Sequence, residues 1–303
     1  MKNKYLATAF VLMAAALWGT TGLFVRYFTA VGLGSMDVVA LRVLAAALFL
    51  PVVVGLLKPD GFRVKIKDLW CFLGTGMLSI AMFSYCYFRT IVASSMAVAA
   101  VLLYAAPVIV VLLSAVFFKE KITWLKAAAC AVAFLGCVLV SDLKGGVVPP
   151  AALLTGILSA IGYALYSIFS RCAMNRGYHS FTIILYTFWF SLLGVLPFAD
   201  LPGTLMKVQS AGWECWGMVF LMGVVTAILP YAFYTLGLSG LEAGKASVMA
   251  SLEPVVAALL GAAVFKEIPS LMSLAGIVLV LTGVVLLNWK VHHGKAKQSS
   301  TAQ

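Results

Sequence analysis

Ser251–Glu267 reads SLEPVVAALLGAAVFKE: a carboxylate (Glu253), a proline, a run of small and branched apolar residues, and a Lys-Glu exit. Upstream, Tyr104–Glu120 reads YAAPVIVVLLSAVFFKE. Laid one on the other, Pro107 falls on Pro254, Phe118 on Phe265 and Lys119-Glu120 on Lys266-Glu267, always 147 residues apart. The same spacing pairs Tyr87 with Tyr234, Ala128 with Ala275 and Gly136 with Gly283, with no insertion or deletion. An internal repeat of this length is a structural unit used twice, and it governs how the rest is read. The copies differ chemically: Ala106 stands where the second has Glu253, and Val98 where it has Lys245.

Working outward, 63% of the 303 residues are hydrophobic and 10% charged, with a mean hydropathy of +1.08. Soluble domains are about a quarter charged. No water-soluble core of this size hides so much apolar side chain, so a bilayer is the expected solvent. A crossing needs about 20 mostly apolar residues, and ten such runs are present: Leu6–Val25, Val38–Leu57, Leu69–Phe88, Ser95–Phe118, Ile122–Ser141, Ala151–Ser170, Ser180–Ala199, Trp213–Leu236, Gly244–Phe265 and Leu271–Trp289. None alternates as barrel strands do, so all are read as helices, which close their backbone bonds internally. The first run is long enough to span and lacks a small-residue cleavage pattern, so it is read as a span rather than a removable signal. The end of the polar tail, His292–Gln303, is expected to be disordered.

The net charge of +11 comes from residues in the short gaps between runs, which is membrane topology and not a nucleic-acid surface. With the N-terminus in the cytoplasm, 14 of the 21 Lys and Arg fall on the cytoplasmic side, 5 outside and 2 (Arg42 and Lys245) within spans. Both termini are therefore expected in the cytoplasm. Five spans per repeat is an odd number, so the second copy enters the membrane from the opposite face. The predicted fold is an all-α polytopic membrane protein: ten transmembrane helices as two inverted five-helix repeats around a central cavity. Its expected units are residues 1–142, 143–291 and a polar cytoplasmic tail, 292–303, with Gly145-Gly146 and Pro149-Pro150 breaking the connection.

Several residues could carry chemistry. A carboxylate at bilayer depth costs about 2.5–3.5 kcal/mol even on the lenient insertion scale, so Glu253 should face a cavity or a partner. Removal from water disfavours its charged form, which suits a proton carrier or a site for an amine. The competing structural reading is that Glu253 caps the half-helix begun by Pro254. Lys245 lies eight residues earlier, about 12 Å along the axis; it lines the same cavity, or snorkels to the cytoplasmic surface and pairs with Glu242. Arg42, one turn into the second span, lines the cavity or reaches the interface. Trp18, Tyr85, Tyr87, Tyr104, Tyr163, Tyr166, Tyr231 and Tyr234 form a set of amphipathic aromatics, whose hydroxyls need partners inside a span; packing or an interfacial belt is the plainer role for any one. Trp70, Trp124, Trp213, Trp216 and Trp289, near span ends, are assigned to the belt. Ala258 with Ala262, and Gly276 with Gly283, mark close helix packing, with a homodimer contact through the fifth and tenth spans as an alternative. The six cysteines form no CxxC pair and read as packing thiols, the three histidines lie outside the spans, and no GxxxxGKS loop is present. No metal, ATP or other cofactor is expected.

Ala16-Leu17-Trp18-Gly19, Leu41-Arg42, and above all Leu252-Glu253-Pro254-Val255 with its Lys266-Glu267 exit and the partner copy at Pro107 and Lys119-Glu120, resemble the drug/metabolite transporter superfamily, specifically its EamA-type branch. The resemblance spans Leu6 to Asn288. It implies a non-enzymatic carrier in the cytoplasmic membrane with a central cavity, mostly exporting amino acids, metabolites or drugs without ATP; alternating access by rocking of the two repeats is then expected, with Pro107 and Pro254 as bending points. Two rivals are weighed: an intramembrane enzyme acting on a lipid or lipid-linked group, and a non-transporting receptor or partner subunit.

Overall fold

The computed structural model describes residues 4–141, 148–266 and 269–299, with side chains as far as residue 287. The Glu267 half of the second Lys-Glu exit, Gly145-Gly146, the Trp289 side chain and the chain end beyond residue 299 lie outside the described residues. Ten apolar helices follow in order: α1 (Lys4–Ala30), α2 (Ser35–Leu57), α3 (Ile66–Ala93), α4 (Met96–Phe118), α5 (Trp124–Val140), α6 (Pro150–Asn175), α7 (Ser180–Phe198), α8 (Trp213–Leu238), α9 (Ala243–Phe265) and α10 (Leu271–Leu287). Eight are long and apolar enough to cross a bilayer, while α5 and α10 are shorter. At 17 residues, α5 spans about 25 Å, the short end of what crosses. The ends move by a few residues from the hydropathy runs. The largest change is at the tail, where the α10 helix continues to Ser299 instead of stopping near Trp289, in a stretch with several good helix formers.

The repeat is written into the backbone. α4 is two half-helices, Met96–Leu103 and Ala106–Phe118, and α9 is Ala243–Ala250 and Glu253–Phe265. Every one of these bounds recurs 147 residues on. Pro107 and Pro254 sit in the first turn of the resumed half-helix, where a missing N–H costs nothing. Both second halves end on a left-handed lysine, Lys119 at φ 54° and Lys266 at φ 56°. α3 and α8 each carry a π-helical stretch, Gly74–Ala81 and Gly223–Ile228.

The two halves also pack as equivalents. α1 lies along α8, and α6 along α3, the same pairing with the repeats exchanged. α5 and α10 form a close seam. A Cβ on Gly136 would lie 2.7 Å from the Gly276 carbonyl oxygen, and one on Gly283 2.8 Å from that of Ala129. Those two contacts interconvert under the repeat, so one seam is made twice about a pseudo-two-fold axis, and this glycine face is used within the chain.

Contacts between connections fix the direction of the copies. The α2–α3 connection meets the α6–α7 connection where the Lys65 N–H donates to the Tyr178 hydroxyl at 3.1 Å. The helix Leu201–Ser210, between α7 and α8, meets the α1–α2 connection where Lys207 Nζ donates to the Gly32 carbonyl at 3.3 Å. The α2–α3 and α7–α8 connections are equivalents in the repeat, yet the length of α2 separates them. The copies are inverted. Large apolar side chains such as Leu56, Trp124 and Leu271 stay exposed around the outside, as lipid-facing surface requires.

Candidate functional site

Where the two halves meet, Trp18 from α1, Tyr163 and Tyr166 from α6, and Tyr231 and Tyr234 from α8 converge. The Trp18 ring lies 5.2 Å from Tyr231, 5.4 Å from Tyr234 and 6.3 Å from Tyr163, and Tyr166 meets Tyr231 edge-on at 4.9 Å. Two hydroxyls are satisfied inside the cluster: Tyr166 with Thr235 Oγ1 at 2.6 Å, and Tyr234 with Ser167 Oγ at 2.8 Å. Tyr163 divides two small cavities. One is walled by the cluster with Ser79 and Phe83, the other by Tyr104, Pro107, Ser251 and Glu253. Each holds about 10 Å³, roughly one water. The site is closed around almost nothing, an occluded geometry.

Glu253 sits at the break of α9, and the Tyr163 hydroxyl donates to its Oε2 at 3.5 Å, the long limit of a hydrogen bond. The capping alternative fares poorly. The cap residue of the resumed half-helix is Leu252, no side-chain cap bond forms, and Glu253 is the first helical residue, where the helix dipole favours its charge. Gly19 explains part of the Ala16–Gly19 motif: a Cβ there would lie 2.7 Å from Val256 Cβ and 2.9 Å from the Glu253 carbonyl oxygen. Only glycine lets α1 come this close to the α9 break, and its neighbour Trp18 then lines the cavity. Arg42, half-buried on α2, lines neither cavity but lies within electrostatic reach of Glu253 and Tyr231, and its Nε is buried with no hydrogen-bond partner among the described residues.

Two candidates sit elsewhere. Tyr85 packs against Phe198, the rings tilted with centroids 4.5 Å apart, and lines neither cavity. Lys245 pairs with Glu242 at 3.7 Å and also lines neither, which is the alternative its i,i+3 spacing offered. Of the belt tryptophans, Trp124 and Trp213 are strongly exposed and Trp70 less so.

Lys245 belongs to a charge cluster that sequence reasoning missed. It lies at the end bearing the α2–α3, α4–α5, α6–α7 and α8–α9 connections, the basic end. Lys126, only 2% exposed, reaches Glu242 Oε2 at 2.9 Å and Glu120 Oε2 at 3.5 Å. Glu120 Oε1 in turn accepts from the Ala243 N–H at 3.0 Å, and Arg171 donates to the Leu241 carbonyl. The network ties the α4–α5 corner of the first repeat to the start of α9 in the second. Burial pushes the Glu242 carboxyl up, but the bond from Lys126 and the charges of Lys245 and Lys126 prevail and hold it below its usual 4.5.

This geometry, an inverted repeat with a polar break in α9, has a counterpart in known proteins. The EamA-like transporter family profile matches residues 6–142 and again 150–289. The chain belongs to the EamA-like transporter family. Like other EamA-type chains, it is a multi-pass membrane transporter. It is 26% identical over 275 residues to an uncharacterized transporter of Archaeoglobus fulgidus, covering 91% of this chain and 96% of that one. It is 24% identical over 203 residues to a probable terminal-alkyne amino-acid exporter of Streptantibioticus cattleyicolor, covering 67% of each. A solved crystal structure superposes with a TM-score of 0.75 at 17% identity, covering 95% of this chain and 98% of that one, a likeness of fold.

Proposed function

We propose that this EamA-type transporter is a secondary active exporter of a small amphipathic organic solute bearing an amine, with amino acids as the leading class. The observation that carries this reading is the placement of Glu253. Its carboxylate stands at the helix break beside an aromatic cluster, with Arg42 in electrostatic reach. A carboxylate takes an ammonium group, tyrosine and tryptophan faces hold its apolar part and its charge, and Arg42, with its Nε unpartnered, suits a solute carboxylate. The amino-acid exporter among the relatives favours the same class.

The closed central site suits an occluded step of alternating access. The basic end is proposed as cytoplasmic, with both termini on that side of the cytoplasmic membrane, and the Glu120–Lys126–Glu242–Lys245 cluster as its gate, closed here. The α4 and α9 breaks at Pro107 and Pro254 are the bending points. Proton coupling would run through Glu253, which must exchange a proton for the solute's amine.

Flux into vesicles tests this. Glu253→Gln should abolish accumulation driven by a pH gradient while exchange of labelled solute stays measurable. Intact pH-driven accumulation in that variant would remove the proton role. Binding of an amine solute unchanged by Glu253→Gln would remove the site.

A further inference from the structure

A cavity much roomier than the two central ones lies away from them. About 580 Å³ opens at the basic end between the α2–α3 and α6–α7 connections. Lys58, Arg63, Lys65 and Arg176 line it, against one lining carboxylate, Asp60. Arg63 spends itself on Asp60 at 3.8 Å, an exposed and weak pair. Arg176 is fixed by Asp68 at 3.1 Å and by the Trp70 ring at 4.7 Å. Lys58 and Lys65 have no carboxylate within ion-pair distance among the described residues. His179 adds no charge: burial, then the charge of Lys58, holds it below its usual 6.5, and its Nδ1 accepts from the Phe181 N–H.

The cavity is also held in shape. The Tyr178 hydroxyl donates to Asp68 Oδ2 at 2.7 Å while accepting from the Lys65 N–H, and the Tyr186 hydroxyl donates to the Phe62 carbonyl at 2.8 Å. Both connections are thus pinned to the helix ends. Basic residues in short connections are ordinary in a membrane protein; two unpartnered lysines converging on one braced concavity are not explained by topology alone. Exposed apolar residues flank the two lysines in the chain. Leu56 and Ile66, two residues before Lys58 and one after Lys65, are 79% and 86% exposed, apolar surface that suits acyl chains.

We infer that this cavity binds the phosphate of an anionic lipid headgroup, with Lys58 and Lys65 as its charge partners and Leu56 and Ile66 beside the acyl chains. The chemistry recognised is a phosphate ester anion at the water–lipid boundary, and basic pockets between helix ends are suited to it. Free phosphate shares the charge but gains nothing from the apolar flanks.

The experiment uses the full chain in detergent, offered equal amounts of phosphatidylglycerol and phosphatidylcholine, with retained lipid read by native mass spectrometry. The wild type should prefer phosphatidylglycerol, and Lys58→Ala with Lys65→Ala should cut that preference about thirty-fold, a factor of roughly five per lysine. Replacement of both by arginine should restore it, and Lys207→Ala, in the α7–α8 connection, should leave it unchanged. Equal retention of the two lipids by the wild type, or a preference that survives the double alanine variant, would overturn the proposal. Inorganic phosphate is run alone in a melting assay. A melting shift as large as that given by phosphatidylglycerol, lost in the double variant, would overturn the lipid as the source.

Discussion

The two ends of the molecule are built on one backbone and closed by different chemistry. At the basic end, Lys126 is buried between Glu120 and Glu242, with Lys245 on the flank. At the opposite end the equivalent positions of Lys126, Glu242 and Lys245 hold Ser273, Ser95 and Val98. There Ser95 Oγ accepts from the Val98 N–H at 3.2 Å, an ordinary helix cap. An inverted repeat alone would make both gates equally easy to open. Lys126, Glu242 and Lys245, which have no charged equivalents at the other end, break that symmetry, and a carrier needs such a break if its two open states are to differ in energy.

The largest test is to remove the buried cation. Lys126→Met leaves Glu120 buried without its counter-charge, and truncating one partner of a buried pair costs about 3–5 kcal/mol. Melting in detergent should fall accordingly. Ser273→Ala, the equivalent change at the other end, should stay within about 0.5 kcal/mol. Equal losses at both ends would erase the contrast.

A smaller effect comes from acid. Because Glu242 is held below its usual 4.5, its contribution is fully present above that pH and is lost as pH falls through the lower folded value. The gap in stability between wild type and Glu242→Gln should therefore be flat from pH 8 to pH 5 and narrow below about pH 4.5, by about 1 kcal/mol once solvent screening at this half-exposed carboxylate is allowed for. A gap that closes instead near neutrality would assign the cluster's charge to some other group.

The contrast between the ends also marks what could be read without coordinates. The bilayer forces long apolar helices, so the ten spans, their inversion and the α4 and α9 breaks were legible in periodicity and in the 147-residue echo. The α9 break with Glu253 was legible for the same reason, since a carboxylate beside proline in an apolar run is costly. Which aromatic joins the site was not. Tyr85 and Tyr87 lie two positions apart on one helix and point in different directions, and only packing sends Tyr85 to Phe198. The cluster was hidden for another reason: Lys126 stands near the start of the Ile122–Ser141 run, and its partner Glu242 lies in the other repeat. The signal that could have found it is a lysine inside TWLKAAAC, among residues that offer it no local partner.

The smallest prediction addresses the plainer end. If Ser95 is only a cap, Ser95→Ala should cost about 0.5 kcal/mol, the low end for cap losses, because its bond to the Val98 N–H is long at 3.2 Å. The loss should not depend on pH between 4 and 8, since no charge is involved, and it should add to the Lys126→Met loss within about 0.5 kcal/mol, the two sites sharing no partner. A double variant much less stable than that sum would mean the two ends are coupled through the shared α5–α10 seam. In that case the cluster at the basic end would be sensing the state of the other gate, and the division of labour between charge and packing would hold only for the closed form.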